Sequence, residues 1–325
     1  MRVGKLNGFE LKECVLDVIK HRREEIKTGA ALGEDCASFQ SKDILLISTD
    51  PITGASKNIG SLAIKVASND IYAAGGEPFL AMITLIAPSE ATTKDIRKIM
   101  NEAEKEAKRL NIEIAGGHTE FSDAVKRFII NTVIVGKTKR HIKATSLNLG
   151  DSIIVTKTIG LEGSVILADK YADLLCLNEN EKKELLEYTE KISLIKEHKS
   201  VENISISSMH DITEGGVFGA LAEICEGAGM GCKIIVNSIP ISPLTRKICD
   251  ALNIDCYNLI SSGSMIITTQ FPEETIKSLC ENGIEASIIG KITHGRPTAI
   301  LSDGKEITLE VKPDELFNND KLGDL

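Results

Sequence analysis

The chain has 325 residues, which is enough for two domains that each bury a core. Hydrophobic residues make up 42% of it, and the net charge of −9 argues against a general nucleic-acid or anionic-membrane surface. Residues 1–12 lack the apolar stretch of a signal peptide, and no apolar run could span a bilayer. We therefore expect a cytoplasmic protein that contacts neither membrane nor nucleic acid.

Helical and strand-like patterns alternate along the first half of the chain. The predicted elements are a helix over 9–26, a strand over 44–48, a helix over 59–74, a strand over 79–86, a helix over 89–110, and strands over 112–115 and 128–136. A turn at 148–151 suggests a domain boundary, which gives an N-terminal domain over 1–148 and a C-terminal domain over 149–325.

The second half continues the alternation, so the chain is predicted to be an α/β protein. Its predicted elements are a strand over 152–157, helices over 163–172 and 179–194, a loop and helix over 210–228, strands over 232–236 and 264–269, and a helix over 273–281. The polar tail after Pro313 is expected to be loosely held.

The eight cysteines are scattered and form no CxxC motif. Cys225 and Cys232 are seven residues apart, as are Cys249 and Cys256, but no histidine lies at metal-ligand spacing beside them. We predict reduced structural thiols and no zinc site.

Carboxylates recur beside glycines or at the ends of predicted elements. The segments are Gly33-Glu34-Asp35, Ser48-Thr49-Asp50, Asn69-Asp70 ahead of Gly75-Gly76, Gly116-Gly117-His118-Thr119-Glu120, and His210-Asp211-Ile212-Thr213-Glu214-Gly215-Gly216. Converging carboxylates suit Mg²⁺, and glycines let backbone N–H groups approach a phosphate. Taken singly, each segment is more often a turn or a helix cap, and Lys65 is expected to be solvated. There is no GxxxxGK[ST] segment, so this is not a P-loop protein.

Taken together in this order, these segments make the chain resemble the aminoimidazole ribonucleotide synthetase (PurM-like) superfamily over nearly its whole length. The resemblance implies a two-domain fold in which N-terminal strands form a barrel with those of a second subunit, followed by a C-terminal α/β sandwich. It also implies a homodimer that binds ATP and Mg²⁺.

The resemblance assigns roles to residues at matching positions. It implies that Asp35, Asp50, Asp70 and Asp211 hold Mg²⁺ or orient phosphates. It places Gly33, Asn69, Gly116, Gly117, Thr119, Gly215 and Gly216 at the nucleotide. Asp211, His118 and Glu120 are the candidate catalytic residues.

Within the superfamily the chain looks most like the HypE-type hydrogenase maturation factors and related synthase-like proteins, with three departures. HypE-type factors use a C-terminal Cys, whereas the last Cys here is Cys280. His118 replaces an acid of the family's GGDT segment. The neutral stretch Ser261-Ser262-Gly263-Ser264 stands where an acidic segment is expected, and Glu214 replaces an Arg.

These observations predict Mg²⁺- and ATP-dependent phosphoryl transfer to a small acceptor that the sequence does not identify. One alternative is a non-catalytic ATP-binding maturation protein that docks on a partner. A small-molecule kinase of the thiamine-monophosphate type and a scaffold with a degenerate site are further alternatives. A selenophosphate synthetase is disfavoured because Cys14 lies in a predicted helix and not in a Gly-rich segment.

Overall fold

The computed structural model describes residues 4–5, 10, 12–28, 38–39, 41–53 and 57–317, with the backbone alone at 4–5, 27–28 and 38–39. The chain separates into two compact units: unit 1 contains 1–72 and 76–141, and unit 2 contains 73–75 and 142–325. The domain boundary at 148/149 remains a prediction beside this division. Within the described ranges, no helix combines the length and apolarity needed to cross a membrane.

Unit 1 is built on a five-stranded sheet in the order β1-β6-β5-β7-β4. Its strands are β1 (Gly4–Lys5), β4 (Ile44–Ile52), β5 (Glu77–Pro88), β6 (Glu113–Ser122) and β7 (Ile129–Thr138), and β2 (Ile26–Thr28) pairs separately with β3 (Ser38–Phe39). β5 pairs with β6 in parallel and with β7 in antiparallel orientation. A parallel neighbour requires a crossover connection, and the helix between β5 and β6 provides it.

Two helices accompany this sheet, α1 (Ile59–Ala73) and α2 (Thr93–Leu110). α2 begins at a capping box, in which the Thr92 hydroxyl accepts the N–H of Asp95 and the Asp95 carboxylate accepts the N–H of Thr92. It ends at Asn111, which adopts a left-handed conformation. Ile71 of α1 packs against Gly136 of β7, so α1 covers the face of the sheet on which Gly136 lies.

The helix predicted over 9–26 extends too far. Its described part is helical at Glu10 and over 12–16, and continues as turns, an irregular stretch and β2. The reason is tertiary: the Glu104 carboxylate accepts the N–H groups of Lys20 and His21, at 2.7 and 2.6 Å. Glu113 accepts the N–H of Arg23 at 2.7 Å. These bonds satisfy backbone donors that a continued helix would have satisfied internally.

Unit 2 is built on a seven-stranded sheet in the order β14-β13-β10-β12-β8-β11-β9. Its strands are β8 (Ser152–Thr156), β9 (Ser208–Asp211), β10 (Gly231–Ile235), β11 (Met265–Thr269), β12 (Ala286–Thr293), β13 (Thr298–Ile300) and β14 (Glu306–Thr308). Its helices are α3 (Leu161–Lys170), α4 (Ala172–Leu175), α5 (Glu179–Lys191), α6 (Ile195–Val201), α7 (Gly216–Ala228), α8 (Pro243–Ala251) and α9 (Pro272–Glu281). One buried apolar cluster joins α7 to β8 and β10, and a second joins α3 to α8.

Most predicted elements agree with the structure to within a few residues at each end, but the strand predicted over 112–115 continues to Ser122 as β6, so the segment 116–120 lies within a strand. The sequence interpretation did not include α4, α6, α8, β1–β3, β9 or β12–β14. Two local expectations are also wrong. Lys65 is buried and lies 3.9 Å from the Glu106 carboxylate. The described part of the tail, 314–317, begins with two buried acids, Asp314 and Glu315.

Candidate active site

One row of directly opposed residues crosses the unit 1 sheet and contains two predicted site residues, Asp50 and Gly117. Asp50 of β4 is opposite Thr132 of β7, Thr132 is opposite Ile83 of β5, and Ile83 is opposite Gly117 of β6. Directly opposed residues share a face of a sheet. Asp50 and Gly117 therefore lie on the same face, which is the face that packs against α1.

The Asp50 carboxylate has an uncompensated oxygen. Its Oδ2 atom is buried and has no hydrogen-bond partner among the described residues, and the same holds for the Thr132 hydroxyl opposite it. Two residues earlier on the same face, the Ser48 hydroxyl donates to the carboxylate of Asp70 on α1. Asn69, next to Asp70, is fully buried. The structure thus brings the predicted Asp50 and Asp70 to neighbouring positions.

Gly117 is the position where the sheet requires glycine. Its φ is 151°, and an added Cβ would collide with the carbonyl oxygen of Ile83. A Cβ at Gly116 would meet only the tip of Met82 at 3.4 Å. Thr119, two residues after Gly117, is buried on the same face. The conformation of β6 thus depends on Gly117 and not on Gly116.

His118 and Glu120 lie on the other face of the sheet, because side chains alternate along β6. His118 Nε2 is 3.2 Å from Glu120 Oε2, and both side chains are more than a third exposed. On the same outer face, the Thr49 hydroxyl donates to Asn131 Oδ1 at 3.1 Å. The structure therefore pairs two of the three candidate catalytic residues with each other and places them on the opposite face of the sheet from Asp50.

In unit 2, Asp211 ends β9 and is 5% exposed. The loop that follows reaches α7 through two glycines with positive φ, 79° at Gly215 and 62° at Gly216. A Cβ at Gly216 would collide with the carbonyl of Tyr257. The N–H of Gly216 donates to the Thr213 carbonyl at 3.1 Å. Close packing at the start of α7 therefore requires glycine at 216, whereas at 215 the positive φ alone favours it.

Asp314 holds the same loop from the C-terminal segment. Its Oδ2 accepts the N–H of Gly215 at 2.8 Å, and its Oδ1 accepts the N–H of Leu316 at 2.9 Å. Burial raises the pKa of Asp314 to about 6, against the opposing effect of these two hydrogen bonds. The N–H groups of both glycines are thus already bonded within unit 2.

The neutral segment 261–264 is buried and mostly bonded. The Ser261 hydroxyl accepts the N–H of Gly160, and the Ser264 hydroxyl donates to the Thr158 carbonyl at 2.8 Å. Ser262 is fully buried, and its hydroxyl has no partner among the described residues. A carboxylate at position 262 would be fully buried.

A buried ion pair lies beside this segment. Lys157 Nζ is 2.7 Å from Glu197 Oε1, and the Glu197 side chain is completely buried. The ammonium also donates to the carbonyls of Lys191, Ser193 and Gly263, at 2.7, 3.1 and 2.9 Å. Burial lowers the pKa of Lys157 and raises that of Glu197. Lys157, which directly follows β8, thus connects this strand to α6 through Glu197 and to the 261–264 segment through Gly263.

The predicted divalent-cation site has only some of its residues in the described ranges. In those ranges, no three Asp, Glu, His or Cys side chains form a group that could hold a metal ion. Asp35 and Gly33, predicted as a metal ligand and a nucleotide contact, lie outside the described residues. The buried, unpartnered oxygen of Asp50 beside Asp70 is an oxygen donor set of the kind that Mg²⁺ prefers. These residues fit the cation, and the convergence of Asp35 and Asp211 with them stays a prediction.

The sequence interpretation missed several residues that the structure connects to these positions. Thr132, opposite Asp50, had one usable signal: with Asn131 it interrupts an otherwise apolar strand. Ser48 was noted only as part of the Ser-Thr-Asp segment, and its bond to Asp70 across the helix–sheet contact had no local signal. Asp314 is 99 residues from Gly215, and no spacing rule links them.

Two family models match the chain, and together they cover most of it. The AIR synthase related protein N-terminal domain matches residues 33–138, and the AIR synthase related protein C-terminal domain matches residues 148–302. The chain belongs to the AIR synthase related family. The predicted PurM-like membership and α/β fold class are confirmed.

Similar proteins include hydrogenase maturation factors. A hydrogenase expression/formation protein of Methanocaldococcus jannaschii is 29% identical over 92% of both chains. Carbamoyl dehydratase HypE of Escherichia coli is 25% identical, over 75% of this chain and 73% of its own. Selenide, water dikinases and thiamine-monophosphate kinases are also similar to this chain.

Solved structures of HypE share the fold. The crystal structure of E. coli HypE superposes with a TM-score of 0.82 at 22% identity, covering 95% of this chain and 98% of that one. A structure of HypE in complex with ATP superposes with a TM-score of 0.80 at 19% identity, covering 96% of each chain. A HypE–HypF complex gives 0.71 at 20% identity, covering 82% of this chain and 90% of that one.

Proposed function

We propose that this protein binds ATP with Mg²⁺ and transfers the γ-phosphoryl group to a small acceptor. The observation that carries the proposal is the buried Asp50 oxygen with no partner among the described residues, next to the Ser48–Asp70 contact. A buried carboxylate without a hydrogen bond or a cation is costly. A divalent cation would compensate it and would be held where a nucleotide could share it.

Asp50 and Asp70 are the proposed cation ligands in unit 1, and Asp35 and Asp211 are further proposed ligands. A bound cation would neutralise the charge that develops on the transferred phosphoryl group. Ser48 fixes the Asp70 carboxylate by donating a hydrogen bond to it, so one ligand is positioned before the cation arrives. In phosphoryl transfer, positioning and charge stabilisation supply most of the catalysis.

The proposed nucleotide contacts divide into two kinds. Gly117 is exposed and has no side chain, so a phosphate could approach the backbone of β6 closely there. Gly215 and Gly216 already use their N–H groups within unit 2, so their proposed contribution is the shape of the loop that starts α7. Asn69, Gly116 and Thr119 remain proposed contacts, and Gly33 lies outside the described residues.

We also propose that the protein is a homodimer. The outer face of the unit 1 sheet carries Leu45 and Ile47 on β4, with 44% and 72% of their surfaces exposed. A second copy of the same face would cover them. In that assembly His118 and Glu120 would lie at the subunit interface, because they occupy this outer face.

The decisive experiment is calorimetric titration of a non-hydrolysable ATP analogue, with and without Mg²⁺, into wild type, Asp50→Asn and Asp70→Asn. We expect Mg²⁺-dependent binding that each variant weakens at least about tenfold, since one ligand charge is lost. Asp43→Asn, an exposed acid just before β4, is the matched control and should bind as wild type. Unchanged binding in Asp50→Asn would contradict the site.

A non-catalytic, partner-docking role is the second candidate. The neutral, buried 261–264 segment favours it, because the chain has no acid where catalytic relatives are expected to carry one. The structural likeness to HypE in its complex with HypF supports a protein partner. The two functions separate in an assay for ADP: bound ATP that stays intact with every acceptor tested would favour docking.

A further inference from the structure

The exposed side of α2 carries a row of cations, which we call the basic stripe. At 3.6 residues per turn, its lysines and arginines fall within about a third of the helix circumference and extend over about 22 Å. All of its members are exposed: Lys94, Arg97, Lys98, Lys105, Lys108 and Arg109. The one other residue of α2 in this sector is the neutral Asn101.

The four acids of α2 lie outside this sector and are engaged elsewhere. Asp95 belongs to the capping box, and Glu102 accepts the N–H of Gly60 at 3.3 Å. Glu104 and Glu106 are buried. The middle of the basic stripe therefore has no carboxylate of its own helix bound to it.

Only the two arginines of the stripe are paired. Arg97 lies 3.7 Å from the carboxylate of Glu13, and Arg109 pairs with Glu106. Among the described residues, no carboxylate lies within 4.0 Å of the other four cations. These four are Lys94, Lys98, Lys105 and Lys108.

Helical lysines elsewhere in the chain include pairs of the usual kind. On α5, Lys182 lies 2.8 Å from Glu179, three residues away. On α9, Lys277 lies 3.9 Å from Glu281, four residues away. Such pairs at i, i+3 and i, i+4 support a helix. The basic stripe lacks them along four consecutive turns.

The stripe lowers the stability of the helix that carries it. Lys94 and Lys98 are four residues apart, as are Lys105 and Arg109, and like charges at this spacing destabilise a helix. Lys94 also lies in the first turn, at the positive end of the helix dipole. Local features that reduce stability are expected where a surface serves another molecule.

We propose that the basic stripe is a docking surface for an acidic helix of a partner protein. The partner helix would present Asp or Glu at i, i+3, i+4 and i+7 along one side. Since both helices rise by the same distance per residue, carboxylates and ammonium groups can match along the whole stripe. The inference concerns α2 alone and does not depend on nucleotide binding at Asp50.

The charge of the whole chain favours a short acidic partner over a nucleic acid or an anionic bilayer. The net charge is −9, so a long polyanion that extends beyond the stripe meets a repulsive surface. Screening confines the attraction to about 8 Å at physiological salt. The stripe has no aromatic side chain on which bases could stack and no apolar side chain that could enter a bilayer.

The test is fluorescence anisotropy of a labelled peptide of about 18 residues, titrated with the full chain. The peptide carries glutamates in one helical stripe on an alanine and glutamine background. A second peptide of the same composition has its glutamates distributed around the helix. We expect the striped peptide to bind more tightly, and its affinity to fall as NaCl rises from about 50 to 300 mM.

Lys98→Glu/Lys105→Glu should weaken binding of the striped peptide at least about tenfold. Lys182→Glu/Lys277→Glu is the matched control, because it changes the net charge equally at side chains that are 58% and 77% exposed outside the stripe. It should bind as wild type. Lys98→Gln/Lys105→Gln repeats the test with a smaller loss, should the charge reversal lower the melting temperature.

Three results would overturn the proposal. The first is equal binding of the striped peptide by wild type and by both stripe variants. The second is equal binding of the striped and distributed peptides. The third is tighter binding of a single-stranded oligonucleotide, or of vesicles that contain phosphatidylserine, than of the striped peptide.

Discussion

The two units differ in how the polar groups at their predicted site residues are compensated. In unit 1, one buried carboxylate oxygen of Asp50 has no hydrogen-bond partner among the described residues, and neither does the buried hydroxyl of Thr132 opposite it. In unit 2, Asp314 bonds the Gly215 N–H, and Lys157 bonds Glu197 and three carbonyls. The Asp314 and Lys157 contacts hold the loop before α7 and the start of α6 in unit 2, whereas the Asp50 oxygen and the Thr132 hydroxyl in unit 1 have no such contact among the described residues.

This difference matters for how the site can be altered. Removing a group from unit 2 leaves another protein group buried and unpaired, which reduces stability. The Asp50 carboxylate in unit 1 has one oxygen without a partner among the described residues, so we expect its removal to affect ligand binding more than folding. Four substitutions test this contrast, from the largest expected effect to the smallest.

Lys157→Met should give the largest loss, about 3–5 kcal/mol in the free energy of unfolding, because it leaves Glu197 charged and fully buried. Lys233→Met removes an ammonium that is 3.0 Å from Glu306 on the exposed surface, and should cost less than about 1 kcal/mol. Urea unfolding followed by circular dichroism measures both, since the chain has no Trp. Equal losses would show that the buried pair does not fix unit 2.

Gly216→Ala should cost about 3 kcal/mol, through a positive φ and a collision with the Tyr257 carbonyl. Gly229→Ala is the matched control: its φ of 65° is nearly the same, but an added Cβ would meet nothing within 4 Å. It should therefore cost only about 1 kcal/mol, the backbone part alone. A similar melting temperature for the two variants would mean that the start of α7 can move to accept a side chain.

Asp314 should make the stability of unit 2 depend on pH. Its pKa is raised to about 6 in the folded protein, so folding takes up a proton between pH about 4 and 6. Stability from this group is therefore greatest at the acid end and falls as the pH rises through 6, by at most about 1.4 kcal/mol per pH unit.

Asp314→Asn should remove that slope, measured as the free energy of unfolding between pH 4.5 and 7.5. Asp95→Asn serves as the opposite case, because hydrogen bonds from Thr92 lower the pKa of Asp95. Its stabilisation is present above pH 4 and is lost as the pH falls further. If Asp314→Asn kept the wild-type slope, the carboxyl would not be the titrating group.

Asp50→Asn should give the smallest change and the opposite sign. Without ligand, we expect it to raise the free energy of unfolding by about 1 kcal/mol, because an uncompensated charge is lost and the amide can donate to the Thr132 hydroxyl. Asp43→Asn should leave stability unchanged. A clear destabilisation by Asp50→Asn would show that unit 1 already compensates this carboxylate, and would remove the contrast.

Local patterns predicted the fold where the chain's periodicity and its tertiary environment agree. α2 was predicted from its apolar spacing and cap signals, and the structure begins it at the Thr92 cap. The segment 9–26 has helical spacing too, but Glu104 and Glu113 bind its backbone N–H groups from residues about 80 to 90 positions away. A window of neighbouring residues contains no information about such distant partners.

The same limit applies to the site. The motif order predicted Asp50 and Asp70, and in the structure Ser48, two residues before Asp50 on the same face of β4, donates a hydrogen bond to Asp70. The sheet face that each residue of 116–120 occupies follows from the pairing of β6 with β5 and of β5 with β7, which the sequence alone does not give. That pairing places His118 and Glu120 on the opposite face from Asp50, whereas the sequence interpretation predicted all three as residues of one site. Asp314 was missed because its contact with Gly215 spans two segments with no shared pattern.

The position of β4 in the sheet has a consequence for synthesis on the ribosome. Among the described residues, β4 pairs along its nine residues with β7, so that residue 44 is opposite residue 138. At about 5–20 residues per second, translation takes about 5–20 s to produce the partner after β4 has been made. Throughout that interval a strand with apolar side chains such as Ile47 has no partner of its own, and the nascent chain is open to pairing with a neighbouring one.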